Sequence, residues 1–187
     1  MAYRNGTYVA FHANGTSEPA ESDMKYYRLL QAWHENEDHE FSIINSHDKT
    51  AAVRDSSSKD TLRRRLRERL ANSKNLLLIL GKTTKFDTDW IPFEIECAVD
   101  DFNLPIIVAY TAYEAVPPNS DEGVLRSWWP ATLTQRIDSG AARTMHISFK
   151  QKPIHDALSR FDPSSPPQWP ITFYKREAYV QWGILAQ

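Results

Sequence analysis

A chain of 187 residues that is 41% hydrophobic and 25% charged has material for one ordinary core plus an extension, and the composition of a globular fold rather than a fibrous or disordered one. Its net charge of −2 and pI near 6.3 supply no bulk attraction for nucleic acid or an anionic membrane, and no apolar run approaches the ~18 residues of a membrane helix. The opening MAYRNGTYVAF lacks the apolar stretch of a secretory leader and Cys97 is the single cysteine, so the expectation is a cytoplasmic protein with no internal disulfide.

Residues 7–13 (TYVAFHA) are β-rich and apolar and predict a first strand, followed by a turn-rich loop over 14–19. Residues 21–36 predict an amphipathic helix, with Met24, Tyr27, Leu30 and Trp33 recurring at helical spacing. After an acidic turn, residues 41–45 (FSIIN) predict a second short strand, and 46–58 a polar loop of the length that carries function. Residues 59–73 predict a helix in which Leu62, Leu66 and Leu70 form an apolar stripe within RRRLRERL. The continuous apolar run 76–80 predicts a strand covered on both faces. Next comes a helix with Asp89 at its N-cap and Pro92 in its first turn, running to about residue 102. A buried strand follows over 105–110 (PIIVAY), a helix over 121–129, a fifth strand over 144–149 and a last short helix over 153–161. This alternation predicts an α/β fold with a parallel, doubly wound sheet over residues 1–161. The segment 162–170 (DPSSPPQWP) breaks the pattern, so residues 162–187 are expected to form an aromatic C-terminal extension packed back on the domain as a strand or arm.

Chemistry concentrates between residues 75 and 102. There a buried strand leads through a loop opened by Gly81 into a helix carrying Trp90 and Glu94, and positions i and i+4 share a helical face. An acid is thus held beside an aromatic plane near the C-terminal edge of a strand, where open α/β sheets bind ligands. Glu96, two residues on, faces the other way and is expected to be solvated or paired. Neither GxGxxG nor a Walker loop is present, so phosphate contacts must come from scattered groups. The histidines lack metal spacing, and no metal site is expected. The basic run of Arg63, Arg64, Arg65, Arg67 and Arg69 alternates with leucine and includes Glu68, which predicts a solvated helix face rather than a nucleic-acid surface. Cys97, with no base in view, is expected to be a packed thiol.

Three segments together resemble a TIR domain: VAFHANGT, IINSHD and LILGKTTKFDTDWIPFEIECA. The resemblance is to the TIR-like family that includes the ThsB proteins of bacterial Thoeris antiphage systems, and it covers about residues 8–110, then 144–161 more loosely. It implies a flavodoxin-like three-layer sandwich of about five parallel strands. It implies an NAD+ glycohydrolase or ADP-ribosyl cyclase-type enzyme, with NAD+ as substrate and no other cofactor. The reaction would break the nicotinamide–ribose bond and release a cyclised or base-exchanged ADP-ribose product that activates a separate effector. By match to the family's W-x-x-x-E element, Glu94 is the implied catalytic residue. The implied substrate-binding residues are Trp90, Phe11, His12, Ala13 and Asn14 after the first strand, Asn45 and Ser46 after the second, and Lys82 and Thr83 after the third. Self-association through TIR contacts, in which the arginine-rich helix takes part, is a further implication; a membrane or nucleic-acid partner is not. Two other readings stay open from sequence: a non-catalytic TIR scaffold, and a flavodoxin-like nucleotide-binding protein without TIR chemistry.

Overall fold

A computed structural model describes residues 4–13, 23–35, 43–44 and 59–187. The expected site residues Asn14, Asn45 and Ser46, and the loop expected over 46–58, lie outside the described residues.

The chain runs β1 (Gly6–Ala10), α1 (Met24–Glu35), β2 (Ile43–Ile44), α2 (Lys59–Ala71), β3 (Ser73–Leu80), a 3-10 turn (Thr84–Phe86), α3 (Trp90–Glu96), β4 (Ile106–Tyr110), α4 (Glu122–Arg126), α5 (Ala131–Asp138), β5 (Thr144–Ser148), α6 (Gln151–Arg160), β6 (Ile171–Phe173) and α7 (Arg176–Gln181). The strands form one sheet in the order β2-β1-β3-β4-β5-β6, and every neighbouring pair is parallel. Order 2-1-3-4-5 is the flavodoxin-like winding, with its topological switch between β1 and β3. The sixth strand is the addition: Ile171–Phe173 pairs with β5 in register from Thr144 to His146, so the aromatic extension enters the sheet itself.

Strands β1, β3, β4 and β5 are buried on both faces, which is why they read as largely apolar runs rather than alternating ones. The period of two still divides the core. Tyr8, Ala10, Leu76, Leu78, Leu80, Ile106, Val108 and Tyr110 face a layer made by Leu62, Leu66 and Leu70 of α2, Ile91 and Ile95 of α3, and Leu133 and Ile137 of α5. Val9, Phe11, Leu77, Ile79, Ile107 and Ala109 face Met24, Tyr27 and Leu30 of α1 and Ile154, Ala157 and Leu158 of α6. Two helical layers around a parallel sheet follow directly from that partition.

The basic run of α2 has an intramolecular use. Lys59, Arg63 and Arg67 recur every four residues and lie over the rings of Trp90, Phe93 and Phe102 at 5.8, 5.2 and 5.5 Å. Asp89 binds both Lys59 (2.7 Å) and Arg63 (3.2 Å), and Arg67 is paired with Asp101. Each exposed contact is individually weak. Together they line one side of α2 against α3 and engage two of the run's arginines, Arg63 and Arg67, with neighbouring rings and carboxylates. Beyond Glu96 the helix widens into a π-turn over Cys97–Asp101 and stops at Asn103, whose φ of 51° needs a residue tolerant of the left-handed region. Among the described residues, no helix is long and apolar enough to cross a membrane.

Candidate active site around Glu94

α3 begins where Asp87 gathers its orphan amides. One oxygen, Oδ1, accepts from the backbone N–H groups of Asp89 (3.0 Å), Trp90 (2.8 Å) and Ile91 (3.3 Å). The expected N-cap, Asp89, stands at the cap position but makes no side-chain cap bond, because its carboxylate is engaged by Lys59 and Arg63. The helix start is therefore fixed from two residues upstream. Asp87→Ala is expected to lower stability by about 1–2 kcal/mol, read as a shifted denaturation midpoint with an unchanged slope.

That start sets where Glu94 points. Glu94 is 0% exposed and receives a hydrogen bond from the Tyr8 hydroxyl, O–H to Oε1, at 2.6 Å. Tyr8 is the middle residue of β1, fully buried, so the carboxylate meets the middle of the strand beside the switch point. Burial first, then the charge and hydrogen bond of Glu94, push the Tyr8 phenol well above its ordinary pKa, against a smaller opposite pull from Arg69. Tyr8 is thus a proton donor at neutral pH, and its O–H is held on the carboxylate oxygen. Trp90, one turn earlier, is half-buried against the same core layer, with Lys59 over its ring. Glu96 is exposed on the other side of the helix, 3.8 Å from Arg136 on α5.

A second polar group ties the strand ends at the switch point. The amide of Asp23, just before α1, donates to the His12 carbonyl (3.1 Å), and the Thr84 hydroxyl donates to Asp23 Oδ2 (3.0 Å). The Gly81 amide donates to Thr84 Oγ1 (2.8 Å). A Cβ on residue 81 would fall 2.2 Å from Asp23 Oδ1, so only glycine lets β3 end this close to the carboxylate. Burial raises the Asp23 pKa, opposed first by the Thr84 hydrogen bond and then by the neighbouring His12. His12 is half-buried, and its Nδ1 has no hydrogen-bond partner among the described residues. Lys82 is exposed and Thr83 half-buried at the same edge, Ala13 is half-buried, and Thr83 makes no side-chain cap bond.

Phe11 is placed differently from the rest. It is 2% exposed and stacks on Tyr27 of α1 at 4.8 Å, in the core layer opposite to that of Tyr8. Its side chain belongs to the α1 side of the sheet. Cys97 is buried, and its thiol is pushed up to about 11 chiefly by burial, which leaves it in the unreactive protonated form.

Tyr8, Asp23 and Asp87 are the polar residues that sequence reasoning did not single out, while Thr84 is placed by sequence at the edge after β3 without its bond to Asp23. A buried tyrosine hydroxyl must find a partner, and an aspartate just before a helix is a start signal. Those rules mark Tyr8 and Asp23 as needing partners without naming which. A cavity of about 310 Å³ lies between Asn103, Leu104, Pro105, Gly140, Ala141 and Arg143, at the strands' N-terminal edge and so at the opposite end of the sheet from Thr84 and the other residues that follow β3. The family model for the TIR-like domain of Thoeris protein ThsB matches residues 8–115, from the tyrosine that holds Glu94 to just beyond β4; this is more than half of the chain, and the protein belongs to that family.

Proposed function

We propose that this chain is the NAD+-cleaving member of a Thoeris defence pair. It would break the bond between nicotinamide and ribose and release an ADP-ribose-derived signal, cyclised or base-exchanged, that a separate effector recognises in the cytoplasm. Family membership supports the defence role. The observation that carries the chemistry is a single carboxylate, Glu94, fixed in an apolar layer beside the topological switch of a parallel sheet.

Nicotinamide in NAD+ is cationic and leaves as a neutral base, so its departure needs no general acid. The demand falls on the ribose, where positive charge develops as the bond stretches. A preorganised carboxylate in a low-dielectric layer answers that demand, as in glycoside chemistry. Glu94 supplies it, with Trp90 one turn above as a wall for the ring and His12, Ala13, Lys82 and Thr83 at the strand ends as contacts for the remainder of the dinucleotide. Because Glu94 has no exposed surface, ribose reaches it only when neighbouring chain moves aside. Self-association through TIR surfaces is a means of driving that movement. The test is incubation of the full chain with NAD+, alone and in extracts of phage-infected cells, with free nicotinamide measured by chromatography. Nicotinamide release that depends on the protein supports the reading. No release under either condition leaves a scaffold.

A further inference from the structure

The core layer that Tyr8 joins is built from hydrophobic side chains, among them Ile91 and Ile95 of α3, Leu66 and Leu70 of α2 and Ala10 of β1. Tyr8 interrupts that surface with a hydroxyl. Phenylalanine would fill the same volume, so packing does not account for the oxygen; what the oxygen adds is the 2.6 Å bond to Glu94 Oε1, across 86 residues of sequence. A carboxylate is free to swing about its last torsion unless one oxygen is held. A ribose-facing carboxylate that swings loses the alignment on which its effect depends.

We propose that Tyr8 is a positioning residue for the cleavage reaction: its hydroxyl pins Glu94 Oε1 and keeps the carboxylate aimed at the ribose. The assignment rests on the NAD+ reading above. Both residues are 0% exposed, Tyr8 sits at the centre of a fully buried strand, and the donor is held protonated by burial and by the carboxylate itself. The restraint is therefore built into the sheet rather than into a loop.

The experiment compares wild type, Tyr8→Phe and a chain carrying 3-fluorotyrosine at position 8, all full length, in the nicotinamide-release assay across pH. Tyr8→Phe is expected to lower kcat about ten- to a hundred-fold with KM within about two-fold, and to move the acid limb of the profile to higher pH, because a donor that favours the charged carboxylate is gone. Fluorotyrosine, with the same shape and a more acidic hydroxyl, is expected to keep activity and move the acid limb to lower pH. That guards against loss of activity through misfolding. Equal kcat and pH profiles for all three chains would overturn the proposal while leaving the NAD+ reading intact. Faster turnover by Tyr8→Phe would overturn it as well, by making the bond a restraint that holds Glu94 away from the sugar. Absence of turnover by wild type removes the NAD+ reading, and this one with it.

Discussion

Glu94→Gln is expected to lower nicotinamide release at least ~100-fold, the scale on which a single preorganised electrostatic contact acts in a water-poor site. Gln is the informative choice. Its amide oxygen still accepts the Tyr8 hydroxyl, so the hydrogen bond at Oε1 and the packing of α3 persist while the charge is lost. Glu96→Gln is the matched control: the same change, two residues on, at an exposed position 3.8 Å from Arg136, where an ion pair contributes little. The expected result is an inactive Glu94→Gln of unreduced melting temperature beside a nearly normal Glu96→Gln. Equal retention of turnover by both would remove Glu94 from the chemistry, and equal loss would mean that the helix, not the carboxylate, is what the assay senses.

The two glutamates also show what sequence can and cannot deliver. Their opposite faces follow from helical geometry alone, and the structure has one buried and one exposed. The central sheet was equally legible, because strands covered on both faces write themselves as apolar runs such as LLLIL and IIVAY. What stayed hidden is long-range and polar. The Tyr8–Glu94 bond joins positions 86 apart and the Asp23–Thr84 bond positions 61 apart, and no local period encodes such a meeting. Asp89 looked like the helix cap, and only the cations of α2 explain why Asp87 takes that place. Helix α5 escaped because it shows the core just two large apolar positions, Leu133 and Ile137. The extension read only as a strand or arm, because three residues cannot set a period; Ile171–Phe173 becomes a strand by pairing with β5.

That pairing leads to the second large effect. His146 on β5 is fully buried, with Nδ1 2.8 Å from the Tyr110 hydroxyl and Nε2 2.7 Å from Thr144 Oγ1, and Phe173 of β6 packs 5.4 Å from its ring. The protons can be placed by elimination. Trp129 Nε1–H only donates and does so to the Tyr110 oxygen (2.7 Å), so the Tyr110 proton goes to His146 Nδ1. The Thr144 hydroxyl donates to the Pro170 carbonyl just before β6, so Thr144 Oγ1 accepts from His146 Nε2–H. Every group is satisfied only if the imidazole is neutral with its proton on Nε2. A second proton on Nδ1 would face the Tyr110 oxygen and turn that hydroxyl away from its acceptor. Burial, and secondarily the charge of Arg126, lower the His146 pKa to about 3. In the unfolded chain histidine titrates near 6.5, so below that pH the unfolded state binds a proton that the folded state refuses. The stabilisation is therefore complete above about pH 6.5 and is lost progressively as pH falls towards 3, with a steepest slope of about 1.4 kcal/mol per pH unit. Denaturant midpoints between pH 4 and 8 test this. His146→Gln is expected to flatten that part of the wild-type profile, since a neutral amide takes up no proton. His146→Leu is expected to cost about 2–4 kcal/mol at pH 7 by stranding the Tyr110 O–H and taking the donor from Thr144 Oγ1, and to loosen β6 first, read as faster amide exchange over 171–173 than in β4. Parallel pH profiles for wild type and His146→Gln would mean that the acid sensitivity of the fold resides in its carboxylates and not in this histidine.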